Sequence, residues 1–167
     1  RLLRLVLSHS DRDKVNLREE LETLSLYVEL EALRFNESFY FNIECDEDID
    51  PEEIYLPTLL IQPFVENAIW HGLLHKTGDR YLHIRFRENH EKNIICEIED
   101  NGIGRAASIK MKRNKDFESK GISIARERID MYNRKYMRQS EVKIHDLKNN
   151  KDEAVGTRVE ILLPLIN

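Results

Sequence analysis

The sequence predicts an α/β protein: a two-layer sandwich in which helices cover one face of a mixed sheet, preceded by a helical segment. Two kinds of pattern predict it. Apolar and polar residues alternate with period two at 38–44, 81–87, 93–99, 141–147 and 158–163. Helical periodicity occupies 16–35, 56–71 and 121–137, interspersed among those strands. A length of 167 residues with 41% hydrophobic side chains suits one compact domain and a helical extension.

Taken in order, residues 1–9, RLLRLVLSH, read as the end of a helix begun before Arg1, and 11–14 break it. Asn16 can cap a new helix, with Glu19 three residues later completing a capping box. Leu17, Leu21, Leu24, Val28, Ala32 and Phe35 form one apolar stripe, and Leu26, Leu30 and Leu33 form a second on roughly the opposite side. Two stripes fit a helix lying between two bodies or one sunk in a single core. The strand 38–44 leads into an acidic loop at 46–53. In the helical segment 56–71, Pro57 suits a first turn, where a missing N–H costs little. Pro63 falls inside that pattern and is expected to kink it or split off a short first turn. Strands 81–87 and 93–99 join through a polar turn at 89–92. The basic stretch 104–120 has little apolar periodicity and reads as a long loop. A helix over 121–137 and a hairpin of 141–147 with 158–163, linked by the polar loop 148–156, close the chain.

Composition narrows the function. The net charge of −5 argues against non-specific binding to nucleic acid. No apolar run reaches the length of a membrane span. Cys45 and Cys96 are far apart and form no CxxC, so they frame neither a disulfide scaffold nor a zinc site, consistent with a reducing compartment.

The residues that carry chemistry lie in four segments. In 94–104, IICEIEDNGIG, Ile94, Cys96 and Ile98 share one face of the strand. Asp100 has the same parity, so its carboxylate is expected to face the core side where the strand ends. A carboxylate there is costly without a donor. A purine exocyclic amine would be one donor; an ordinary Asp-Asn-Gly turn is the alternative. Gly102 and Gly104 permit a tight turn and close backbone approach. In 56–72, LPTLLIQPFVENAIWHG, Leu60, Ile61, Phe64, Val65 and Ala68 form the buried face. Asn67 lies at its edge with His71 four residues on, and Glu66 points about 100° away. Asn67 reads as a hard oxygen ligand for Mg²⁺ or as an amide in an interhelical hydrogen bond. His71 by itself reads first as a satisfied histidine at the core boundary. The Gly-Thr pair at 156–157 opens the last strand, and Lys110, Lys112, Arg113, Lys115 and Lys120 could meet phosphates or only water. There is no GxxxxGK[ST], no GxGxxG after a strand, no HRD or DFG and no GxSxG.

In this order the segments resemble the GHKL ATPase superfamily, the Bergerat fold. LPTLLIQPFVENAIWHG resembles the asparagine box of the LytS-like sensor histidine kinases, DNGIG their first glycine box, and GTRVEILLPL the last. EELETLSLYVELEALRF resembles the helix that precedes their ATP-binding domain. The resemblance implies that Asn67 coordinates Mg²⁺ and that Asp100 accepts from the adenine amine. Gly102 and Gly104 would shape the adenine pocket and a lid hinge, Thr157 would join the adenine-side network, and Gly121 would open the helix after the lid. Glu66 and Asn67 would be the catalytic pair, with His71 beside the nucleotide. The cofactors implied are ATP and Mg²⁺. Trp70 stands where many relatives have Lys, and Ser123 where many have a second glycine. The acceptor histidine of such proteins lies in a segment like PHFLFN; none of the six histidines here, His9 included, has that context.

The resemblance therefore implies that residues 1–36 are the C-terminal part of a dimerisation and phosphoacceptor region and residues 37–167 a catalytic ATP-binding domain. The γ-phosphoryl group would pass to a histidine on an upstream helix and then to an aspartate of a cognate response regulator. The whole protein would be a homodimer, and this part the cytoplasmic portion of a membrane-anchored bacterial sensor. The other reading is a nucleotide-binding interaction module that transfers no phosphate.

Overall fold

A computed structural model describes residues 12–35, 38–91, 93–111, 120–137, 139–163 and 165. Residues 1–9, read as the end of an upstream helix, lie outside them.

The chain enters through a short strand, β1 (Lys14–Asn16), and turns directly into helix α1 (Leu17–Ala32). The predicted capping box forms: Asn16 Oδ1 accepts from Glu19 N–H at 2.8 Å, and Glu19 Oε2 accepts from Asn16 N–H at 3.2 Å. Leu17, Leu24 and Val28 are fully buried, whereas Leu30 and Leu33 are 53% and 79% exposed. The first stripe therefore packs into the domain core, and the far end of the second faces outward.

Strand β2 (Phe39–Cys45) follows, then β3 (Tyr55–Pro57), which pairs antiparallel with β1 through Val15 and Leu56. This moves the start of the next helix. Leu56 and Pro57, expected in its first turn, are strand residues. Helix α2 (Gln62–Asn67) begins later, with Pro63 in its first turn, where the ring displaces no hydrogen bond. No kink at Pro63 is needed. The helical run continues as a wider π-helical turn, Ala68–Leu73, in which Leu74 N–H reaches back to Ile69 O.

Strands β4 (Arg80–Glu88) and β5 (Ile94–Asp100) come next. Helix α3 (Arg105–Met111) occupies the first part of the stretch expected to be a loop. It shows little apolar periodicity because it buries Ser108 and leaves Ile109 59% exposed. Positions 112–119 of the expected loop lie outside the described residues. Helix α4 (Lys120–Tyr136) leads to the closing hairpin, β6 (Val142–Lys148) and β7 (Ala154–Leu162).

The five long strands form one mixed sheet in the order β2-β4-β5-β7-β6, parallel between β2 and β4 and antiparallel elsewhere. Its inner face, with Leu82, Ile84, Phe86, Cys96, Ile98 and Ile161, packs under the helices. The outer face is a lattice of charges, including Arg87–Glu97 at 2.7 Å and Arg158–Glu99 at 2.6 Å. Period two thus sends Glu97 and Glu99 to solvent and Asp100 inward, as the sequence predicts. No helix among the described residues is long and apolar enough to cross a membrane.

Candidate functional site

The inner end of β5 delivers Asp100 to the base of a cleft between the sheet and the helices. Its carboxylate is 4% exposed. Burial, the dominant cause, pushes the Asp100 carboxyl up to about 7, against a hydrogen bond from Gly102 N–H to its Oδ1 at 2.8 Å. A carboxylate held so far from water gains from any ligand that brings a donor.

The backbone around it is packed too tightly for side chains. A Cβ on Gly102 would lie 2.5 Å from Gly72 Cα, and one on Gly72 would lie 2.6 Å from Asp100 Oδ1. The π-helical turn that carries Gly72 therefore rests directly on the DNG loop, and Gly72 O accepts from Ile103 N–H at 3.2 Å. Asn101 fixes the other side of the loop: its Oδ1 accepts from Tyr81 N–H at 2.8 Å and its Nδ2 donates to Asp79 O at 3.2 Å.

The cleft brings together Asn67 from the end of α2, His71 from the π-helical turn, Asp100 from β5, Gly104 and Thr157. These five were singled out from three separate stretches of sequence. Thr157 arrives by sheet register, directly opposite Asp100 on β7, and is 7% exposed. Gly104 turns the chain into α3 at φ 76. Three other predicted residues do not line the cleft. Gly102 lies behind Asp100 against Gly72. Gly121, in the first turn of α4, packs 3.3 Å (from a Cβ built on it) from Pro63. Glu66 projects from another side of α2, where its Oε1 accepts from Gln62 Nε2 at 2.8 Å.

Sequence reasoning missed several wall residues. Arg105 and Ser108 come from α3, and Ile122 and Arg126 from α4. Arg105 is held by a two-pronged ion pair to Asp146 on β6, with both N···O distances 2.7 Å. The signal that could have found it is its place immediately after Gly104. Gly72 was also missed, because its need to be glycine is a contact between distant segments. Among the described residues no cluster of three His, Cys, Asp or Glu side chains is placed to hold a metal. A cation in this cleft would share the Asn67 amide oxygen with oxygen atoms of a ligand and water, a donor set that fits Mg²⁺.

No family model matches the chain. The chain is 28% identical over 163 residues to the sensor histidine kinase YesM of Bacillus subtilis, covering 95% of this chain and 25% of YesM. It is 32% identical over 124 residues to the sensor histidine kinase BtsS of Escherichia coli, covering 66% of this chain and 21% of BtsS. The chain thus spans about a quarter or less of these relatives. Among solved structures, the histidine kinase domain of the Erythrobacter litoralis EL346 blue-light activated kinase superposes with a TM-score of 0.63 at 17% identity, over 98% of this chain and 76% of that one. Histidine kinase ThkA in complex with the response regulator protein TrrA superposes with a TM-score of 0.54 at 16% identity, over 98% and 46%.

Proposed function

We infer that this homologue of the sensor histidine kinases, built on the GHKL fold of their catalytic domains, binds ATP with Mg²⁺ in the cleft and passes the γ-phosphoryl group to a histidine upstream of Arg1. The observation that carries the reading is the convergence of Asp100, Thr157, Gly104, Asn67 and His71 on one cleft.

In this reading Asp100 accepts from the exocyclic amine of adenine, and Thr157 supports the same end from the adjacent strand. The tight Gly72–Gly102 contact holds the carboxylate in place. Asn67 offers its amide oxygen to Mg²⁺, which supplies charge neutralisation on the phosphates when bound. His71 stands one turn beyond Asn67 on the phosphate side. Gly104 begins the segment that would close over the nucleotide, and Gly121 the helix that follows it. An imidazole nitrogen of the acceptor then forms a bond to the γ-phosphorus as the bond to the leaving ADP oxygen breaks. Glu66, outside the cleft but next to Asn67, would hold the remaining N–H of that imidazole. The protein's contribution is positioning and charge stabilisation.

Residues 1–36 would be the C-terminal part of the helical region that carries the acceptor, its last helix docked on the ATP-binding domain of residues 37–167. The further partners would be a second copy in the whole protein and a response regulator whose aspartate receives the phosphoryl group. The location would be the cytoplasmic side of a membrane-anchored bacterial sensor. Titration calorimetry of the chain with ATP and ADP, with and without Mg²⁺, tests the site. Binding strengthened by Mg²⁺ is expected, and no heat of binding at millimolar nucleotide would refute the reading. Nucleotide binding by the whole protein without phosphotransfer would leave the interaction-module reading in its place.

A further inference from the structure

Just before α2 the backbone takes a path that L-residues avoid: Leu59 has φ 55. Strain of this kind persists only where the surroundings over-determine it, and an observed outlier is a reason to ask what it serves.

The surroundings here come from three directions. Thr58 O accepts from Arg128 Nη1 of α4 at 2.5 Å. The Thr58 hydroxyl donates to Arg12 O at 3.1 Å, and Thr58 N–H to Asp13 O at 3.5 Å. Tyr132, one turn beyond Arg128, donates its hydroxyl to the same Asp13 carbonyl at 2.9 Å. On the far side of the turn the buried Glu20 carboxyl of α1 faces the backbone of Ile61. Leu60 and Ile61 are themselves fully buried. The entering chain, α1 and α4 thus grip one strained turn, and Asn67 stands on the helix that leaves it. Arg128 does not line the cleft, although Arg126 on the same helix does.

We propose that Arg128 is a positioning residue: by holding the Thr58 carbonyl it keeps the Leu59 turn in the one path that aims Asn67 into the cleft. This rests on the reading of Asn67 as the residue that meets Mg²⁺. The helical run from Gln62 is continuous through the π-helical turn, so a shift at Leu59 carries Asn67 with it. Asp100 hangs from the sheet instead, and the helical run meets its loop at Gly72, at the far end of that run, where the bond from Ile103 N–H to Gly72 O pins it. A shift at Leu59 therefore moves Asn67 more than it moves the carboxylate.

The test compares ADP affinity of the full 167-residue chain in Mg²⁺ and in EDTA for wild type, Arg128→Met and Arg128→Lys. Met keeps the aliphatic bulk and removes the donor; Lys keeps a donor. The gain in affinity from Mg²⁺ is expected to fall about tenfold in Arg128→Met and to recover in large part in Arg128→Lys. The affinity in EDTA is expected to stay within about twofold of wild type, since Asp100 sets it. A Met variant that keeps the full Mg²⁺ gain, or that loses affinity equally in both buffers, overturns the proposal. Should the Met variant not fold, Leu59→Gly takes its place, because glycine accepts φ 55 and widens the paths open to the turn. It is expected to fold and to lose Mg²⁺ gain, and a folded Leu59→Gly chain with the wild-type gain overturns the proposal. A wild-type chain with no Mg²⁺ gain refutes the magnesium reading itself and takes this proposal with it.

Discussion

Replacing Asp100 by Asn should move stability and nucleotide affinity in opposite directions. Asn is nearly isosteric and its amide oxygen can still accept from Gly102 N–H. What changes is the charge. The Asp100 carboxyl is raised from 3.8 to about 7, chiefly by burial. For an acid raised in this way, the folded state binds the extra proton between those two values. The stability it contributes is complete below about pH 3.8 and is lost as pH rises through about 7. Each pH unit crossed between those values removes about 1.4 kcal/mol, so wild type should lose on the order of 2–3 kcal/mol relative to Asp100→Asn between about pH 5 and pH 8. In a chain of this size that is roughly 5–10 °C in melting temperature. Glu20, also pushed up to about 7 by burial, titrates in both proteins and cancels in the difference. Binding should go the other way. The Asn amide turns a donor towards the adenine amine and removes a charge-assisted bond, costing roughly 1.5–3 kcal/mol, or ten- to a hundredfold in affinity. In wild type, affinity should rise with pH through about 7 as the acceptor ionises. Differential scanning calorimetry across about pH 5 to 8 and ADP titrations on both proteins provide the measurement. A flat difference in melting temperature across that range, or equal ADP affinity in a folded Asn variant, would refute the reasoning.

Other substitutions separate the remaining parts of the site. Gly72→Ala should weaken ADP by about tenfold or more, since its Cβ would sit 2.6 Å from Asp100 Oδ1; an alanine variant that titrates like wild type would show that the carboxylate moves aside freely. Asn67→Ala should abolish the gain in affinity from Mg²⁺ while leaving ADP binding in EDTA nearly unchanged, as the same titrations will report. Arg105→Ala should change stability by no more than about 1 kcal/mol, because its pair with Asp146 is half exposed; chemical denaturation checks this, and a larger loss would mean that α3 depends on that pair.

What the sequence made legible was what local periodicity encodes. Parity along β5 placed Asp100 inward and Glu97 and Glu99 outward, because side-chain direction in a strand follows from counting by two. The capping box at Asn16 and Glu19 marked the start of α1 within one residue, since both partners lie within one turn. The failures concern contacts between distant segments. Leu56 and Pro57 carry an apolar helical pattern, yet pairing with Lys14–Asn16 across the fold makes them a strand. Residues 105–111 form a helix without an apolar stripe because little of it is buried. The same limit applies in the site. Asn67, His71, Asp100, Gly104 and Thr157 are marked by the family motifs in which they stand, since type and spacing alone left each with an ordinary structural reading. Gly72, Arg105 and Arg126 acquire their places only when the π-helical turn, α3 and α4 close on the sheet.

The central claim is that the cleft transfers the γ-phosphoryl group of ATP to a histidine outside this chain. The most direct measurement incubates γ-labelled ATP and Mg²⁺ with this chain, with the protein extended through its upstream region, and with the extended protein carrying Asn67→Ala, and then counts acid-labile, base-stable label. The extended protein should label on a histidine in its upstream region, the Asn67→Ala form should not, and this chain alone should bind nucleotide without labelling. Equal histidine labelling of the short chain, or undiminished labelling with Asn67→Ala, would contradict the account.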